Sequence, residues 1–300
     1  MAQKKNWAQI RIEYGVAAAL IGVLRLLPLA AANRLARAAT RLLDSIVPRL
    51  RRVARTNLSF ALPEMSCAQH DRITDGVFHS IARMLVALSR FPSINRANVG
   101  QWIEYDGFEN YAEAKRRGRG VLIATAHLGN WELSAFAHAL LTEPMNVMVR
   151  PLDNPLINTL VEERRVLSGN KLIDKRDAAR SVLKALRNNE AVGILIDQNA
   201  SAAEGLFVPF FGKLACANSG FVKLANHSGA TVIPGFALWD ETRRRYTLRF
   251  GPAIKMTGDV AVDTARIYAI IESAIRDHPD QWMWIHRRWK TRPPGEPPLY

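Results

Sequence analysis

Cysteine is nearly missing from this 300-residue sequence: Cys67 and Cys216 stand far apart, with no second cysteine near either. That gives no disulfide framework and no zinc pattern, so a reducing compartment and no metal are expected. Acidic residues are also scarce, 27 Asp and Glu against 41 Lys and Arg, for a formal net charge of +14. The imbalance predicts an anionic partner: nucleic acid, an anionic membrane surface, a phosphorylated lipid or an acidic carrier protein. No recognised nucleic-acid motif accompanies the charge, so nucleic acid is not expected. A Gly-x-Ser-x-Gly elbow is lacking too, which removes the serine version of a hydrolase. Internal repeats, low-complexity tracts and linkers are absent, while 48% hydrophobic residues suffice for a large core.

A long clean apolar run is the remaining absence. Val16 to Ala32 is almost wholly apolar but is interrupted by Arg25 and Pro28, and Lys4, Lys5, Arg11 and Glu13 precede it. A full membrane span wants about 20 apolar residues, so an interfacial helix or a short tilted anchor fits better. Leu29-Ala30-Ala31-Ala32 imitates a signal-peptide cleavage site, but the interruptions come well before it. Arg34, Arg37 and Arg41 then recur at helical spacing between Leu35, Leu42 and Leu43, followed by Arg49, Arg51, Arg52 and Arg55. Basic amphipathic helices of this kind lie on anionic lipid; a solvated face packed on the protein has the same pattern. Residues 1–60 are therefore read as a helical membrane-anchoring region and 61–300 as the catalytic domain.

Val77, Ile81, Leu85 and Leu88 keep the helical period up to about residue 90, with Pro63 and Pro92 as punctuation. Beyond residue 107 the pattern becomes α/β. Val121–Thr125, Asn146–Val149, Ala191–Ile196 and Thr231–Phe236 read as strands. Helices are expected over Glu109–Arg117, Glu132–Leu141, Leu156–Leu167, Ala178–Asn188, Gly220–Ser228 and Val262–Arg276. Tyr246–Phe250 alternates and reads as an edge strand. The tail from Arg292-Pro293-Pro294 is expected to be loosely ordered.

In such a sheet the site lies where strand carboxyl ends lead into helices, and Ala124-Thr125-Ala126-His127-Leu128-Gly129-Asn130-Trp131-Glu132 has that form. On one continuous helix, residues five apart lie roughly 140° apart. If His127 precedes the helix, however, the turn can fold it against Glu132. Glu132 would then fix the imidazole tautomer and leave the other nitrogen to take a hydroxyl proton. A chance His and Glu at this spacing, serving only as cap or core, is the competing explanation.

Four blocks in order resemble the lipid A late acyltransferase family, within the wider His-x4-acid glycerolipid acyltransferase group. They are Ala126–Glu132; Val149-Arg150-Pro151-Leu152-Asp153-Asn154-Pro155 with Arg165 beyond it; Ile196-Asp197-Gln198 with Gly205–Gly212; and Gln281–Lys290, which carries the Trp-x-His-x-Arg-Trp ending. Together they span most of the chain from Val53 to Lys290. The resemblance implies a central mixed sheet flanked by helices, His127 as base, Glu132 as its partner, and no metal or other cofactor. It also implies an acyl-carrier-protein or coenzyme A thioester donor, a lipid A precursor as acceptor, and the cytoplasmic face of the bacterial inner membrane.

The residues themselves agree with these implications. Phe207, Val208, Pro209, Phe210 and Phe211 suit an apolar slot for a fatty chain, and a buried strand equally. Arg150 and Arg165 can fork onto phosphate oxygens, or pair with Asp153 or Glu162 at the surface. Asn154 and Gln198 join the substrate-binding set through their blocks, and Asp197 is expected to shape the site or cap a turn rather than act as a second acid. Trp282, Trp284 and Trp289, interleaved with Arg287, Arg288 and Lys290, suit a membrane interface or packing onto the domain. The segment Asn199–Glu204 departs from the family's short glycine-bearing loop, so substrate selection is expected to differ there. The alternatives are a lysophospholipid or other glycolipid acyltransferase, a thioester hydrolase, and a non-enzymatic basic membrane-binding module.

Overall fold

The computed structural model describes residues 6–174, 178–203 and 205–300. Lys4, Lys5 and Glu204, named above, lie outside the described residues.

Four helices come first: α1 (Trp7–Leu26), α2 (Leu29–Ile46), α3 (Pro48–Ala61) and α4 (Cys67–Arg90). The apolar run from Val16 is thus split, because Pro28 cannot donate into a continuing helix and Leu27 before it is extended. Helix α1 is long and apolar enough to cross a membrane by length and composition. Its exposed side presents Ile12, Val16, Val23 and Leu26 at helical spacing, with Leu29, Leu42 and Ile46 exposed on α2. The opposite sides pack on α4, where Leu24, Ala32, Ala36, Ala82 and Val86 form a small core. Helix α4 starts on a capping box, in which the Ser66 hydroxyl accepts from the Gln69 N–H and the Gln69 side chain returns to the Ser66 N–H. Helix α3 belongs to the main core: Leu58 and Ala61 are buried in it, and the buried Asn57 amide donates to the Trp284 and His286 carbonyls.

The remaining elements alternate: β1 (Ile103–Asp106), α5 (Phe108–Arg116), β2 (Val121–Thr125), α6 (Trp131–Leu141), β3 (Asn146–Val149), α7 (Pro155–Val166), β4 (Lys171–Asp174), α8 (Ala178–Arg187), β5 (Ala191–Leu195), β6 (Gly205–Phe210), β7 (Lys213–Asn218), α9 (Gly220–Ser228), β8 (Thr231–Asp240), β9 (Arg245–Phe250) and α10 (Val260–Asp277). Seven strands form one mixed sheet in the order β1-β9-β8-β2-β5-β3-β4. Every neighbour is parallel except β8 and β9, which run antiparallel. The expected α/β class, a mixed sheet flanked by helices, is observed.

Strand β9 is not at the edge. Strands β1 and β4 are, and both escape a reading by periodicity because each is only four residues long and carries charged side chains. The strand interior divides two cores by pleat. Leu122, Ala124, Val192 and Val232 face α9, α10 and the C-terminal tryptophans; Val121, Ile123, Ala191 and Ile233 face α5, α6 and the end of α4. The tail after Arg292 is tied down: Arg292 donates to the Leu214 carbonyl, and the Tyr300 hydroxyl bonds the Trp289 N–H and Asn57.

Candidate active site

Strands β2 and β5 are parallel neighbours in register, with Thr125 opposite Leu195. Two residues beyond that pair, on the same side of the pleat, stand His127 and Asp197. The Asp197 carboxylate is 2.8 Å from His127 Nδ1, accepts the His127 backbone N–H at 3.0 Å, and accepts the Trp282 indole N–H at 2.7 Å. Asp197 is 2% and His127 16% exposed. Burial opposes the Asp197 charge, but attraction to the His127 ring and the hydrogen bonds from His127 and Trp282 outweigh it and hold this carboxyl below its ordinary value. A carboxylate accepts, so Nδ1 carries the hydrogen of the neutral ring and Nε2 is left basic. The Gln198 amide nitrogen lies 3.3 Å from Nε2.

The carboxylate hydrogen-bonded to the imidazole is thus Asp197, while Glu132, expected beside His127, is engaged elsewhere. The Arg165 guanidinium, from the last turn of α7, forks onto Glu132 at 2.8 and 2.6 Å, and the Trp131 indole donates to Glu132 at 3.1 Å. Both partners are mostly buried, at 17% and 10% exposed. Burial acts to lower the Arg165 value, yet the Glu132 bonds raise it, so the guanidinium stays charged. Sequence reasoning paired residues five apart and overlooked a partner 70 positions away. The available signal was an Asp one residue past the end of an apolar strand, matching His127 past the end of another.

The turn between them is fixed by Gly129, at φ 66°. A Cβ there would sit 1.9 Å from the Ala237 carbonyl oxygen, so only glycine lets this turn lie against β8. Asn130 then caps α6 by accepting the Leu133 N–H. The back wall is the C-terminal block: the Met283 N–H donates to the His127 carbonyl, and the Asn199 N–H to the His286 ring at 3.3 Å.

His127, Glu132, Arg165, Gln198 and Arg150 all line one cavity of about 1600 Å³. One chamber lies on the α6 side of the sheet, walled by Ile123, Phe136, Met145, Gly193 and Gly235; the other lies across the sheet, between Ile194 and Leu183 of α8 and Phe221 and Leu224 of α9. Ala17 and Ile21 of α1 also border it.

Other expected residues stand elsewhere. Phe207, Phe210 and Phe211 do not line this cavity. They belong to the β6–β7 hairpin, where Phe207 pairs with Cys216 and Phe210 and Phe211 pack against Trp289 and Trp284. Val208, Phe210 and Phe211 are buried in one core with Trp282, Trp284 and Trp289, while Phe207 is half-buried and Pro209 exposed, so the run packs on the tryptophans and away from this cavity. Asn154 is a buried cap, accepting from Leu156 and Ile157 while its amide donates to the Ile10 carbonyl and Glu13 of α1. Arg150 is exposed, 3.7 Å from Asp153. Among the described residues no group of His, Cys, Asp and Glu is arranged to hold a metal ion.

His138 also borders the cavity. Burial pushes its imidazole down to about 4 from 6.5, so between those values the unfolded chain binds a proton that the folded chain does not. Stability is thus expected to fall as pH drops from 6.5 to 4, by roughly 3 kcal/mol at the lower end; His286, lowered likewise by burial, adds to the trend. Urea titrations across that window check this. The slope against pH in His138→Gln should be shallower by about one proton.

A model of the family described as bacterial lipid A biosynthesis acyltransferase matches residues 3–291. The chain is 29% identical to the lipid A biosynthesis lauroyltransferase of Escherichia coli (strain K12), over 93% of both chains. It is 30% identical to the palmitoleoyltransferase of the same organism, over 83% of this chain and 81% of that one. Identity is 27% to a lipid A biosynthesis acyltransferase of Haemophilus influenzae, over 81% of this chain and 76% of the relative.

Proposed function

Because the chain belongs to the bacterial lipid A biosynthesis acyltransferase family, we propose that it moves a fatty acyl group from a thioester to a lipid A precursor hydroxyl with His127 as general base. The observation that carries this reading is the His127–Asp197 pair bordering a large, mainly apolar cavity. The acceptor hydroxyl gives its proton to His127 Nε2 as its oxygen attacks the thioester carbonyl. The tetrahedral oxyanion is met by Arg165, held in place by Glu132. Collapse breaks the C–S bond, and the imidazolium returns its proton to the departing thiolate. Transfer is direct, with no acyl-enzyme.

The donor is an acyl-carrier-protein or coenzyme A thioester; the +14 charge suits an acidic carrier and an anionic bilayer alike. Exposed apolar side chains on α1 and α2, with Arg11, Arg25, Arg34 and Arg41 exposed beside them, support a seat on the cytoplasmic face of the bacterial inner membrane. That seat brings a lipid acceptor to a cavity bordered by α1.

The test is an acyl-transfer assay with acyl-carrier-protein and coenzyme A thioesters against lipid A precursor and lysophospholipid acceptors in anionic vesicles, with co-sedimentation scored in parallel. Acylated lipid A precursor and a vesicle-bound protein are expected. Acylation of lysophospholipid alone, or acyl release that is faster without acceptor than transfer with it, would overturn the reading.

A further inference from the structure

Strands β5 and β8 flank β2, and each carries a glycine in its interior, Gly193 and Gly235. Neither has a positive φ, so no backbone conformation demands it, and glycine inside a strand weakens it. What the two share is a place. Gly193 sits in register between Ile123 of β2 and Val147 of β3, and Gly235 lies two residues beyond Ile233, which also pairs with Ile123. All of these face the α6 side, and both glycines line the chamber there. A Cβ on Gly193 would come 2.9 Å from Met145 Cε. One on Gly235 would come 2.9 Å from Ile123 Cγ2 and 3.0 Å from the Phe250 ring. At Gly235 the place of the side chain is taken by Ile123 and the Phe250 ring, whereas at Gly193 only the flexible Met145 terminus lies within 4 Å, so the missing side chain there is room in the chamber.

The neighbouring wall is rigid and its polar atom is unmet. His138 is fully buried, its Nδ1 is 2.7 Å from the Tyr105 hydroxyl, and the Tyr111 ring meets it edge-on at 4.5 Å. Its Nε2 has no hydrogen-bond partner among the described residues. An aliphatic chain reaching it gains no hydrogen bond, and a wall locked by three aromatic rings, Phe250 included, does not yield to a longer one.

We propose that Gly193 sets the length of the acyl chain this chamber accepts, with the flexible Met145 terminus beside it and Phe250, which packs into the place left by Gly235, and His138 as its fixed end; this rests on the acyltransferase reading above. Adding a methyl at Gly193 fills space directly and pushes the flexible Met145 terminus, while Met145→Ala opens it. One methylene in an apolar pocket is worth about 10- to 200-fold in discrimination.

The experiment measures kcat/KM over a graded series of saturated acyl thioesters for wild type, Gly193→Ala, Gly193→Val and Met145→Ala, each checked for folding by thermal melting. Displacement of a fluorescent fatty acid by the matching free fatty acids is read alongside. In Gly193→Ala the longest good donor should lose at least about tenfold relative to shorter ones, with Gly193→Val losing more, and Met145→Ala should shift the optimum the other way. The binding series should move in the same directions. Folded, active variants with unmoved profiles in both measurements would overturn the chamber assignment. Shifted binding without transfer by wild type would keep the chamber and reject the acyltransferase reading.

Discussion

Asp197→Asn is expected to lower kcat by about 10³-fold or more while the donor KM changes little. The amide nearly matches the carboxylate in shape, so the backbone turn and the Trp282 contact have somewhere to settle. It cannot, however, stabilise the imidazolium that forms as the acceptor hydroxyl loses its proton, and it can donate to Nδ1 and reverse the tautomer. His127→Ala gives the floor for the series. Glu132→Gln is expected to cost less than Asp197→Asn, because Glu132 touches Arg165 and Trp131, not the imidazole. Single-turnover rates for the three variants check the order. Turnover by folded Asp197→Asn within tenfold of wild type would reject the base pair drawn here.

The second large effect separates stability from chemistry at the Glu132–Arg165 pair. Glu132→Ala strands a mostly buried guanidinium without its carboxylate, which costs about 3 kcal/mol. For a chain of this size the melting temperature should fall by roughly 5–10 °C. Turnover should fall as well, since Arg165 is no longer held where the oxyanion forms. Pairing the change with Arg165→Met removes the stranded charge. Most of the lost stability is then expected to return while transfer does not. Calorimetry and the acyl-transfer assay on the single and double variants read the two effects apart; recovered turnover in the double variant would show that the pair is only a strut.

The comparison of His127's two candidate partners shows where reading a sequence stops. Glu132 was conspicuous because it is close in the chain, and local spacing is what a sequence displays. Asp197 became a partner only when β5 docked beside β2 in parallel register, an event of the sheet. The aromatic run Phe207–Phe211 carries the same lesson in reverse. Its hydrophobicity was plain, but whether it would line a cavity or fill a core depended on the tryptophans some 70 residues on, which close over the hairpin.

The chain alone determined the helices from α4 onward, the strands β2, β3, β5, β8 and β9, the strand-turn-helix carrying His127, the four ordered blocks and the basic N-terminal helices, since each is a matter of period, charge or local spacing. Tertiary structure decided which carboxylate hydrogen-bonds the imidazole, which apolar residues line the cavity and which strands lie at the edges. These depend on register between distant segments, where a single pleat's shift exchanges the faces of a strand.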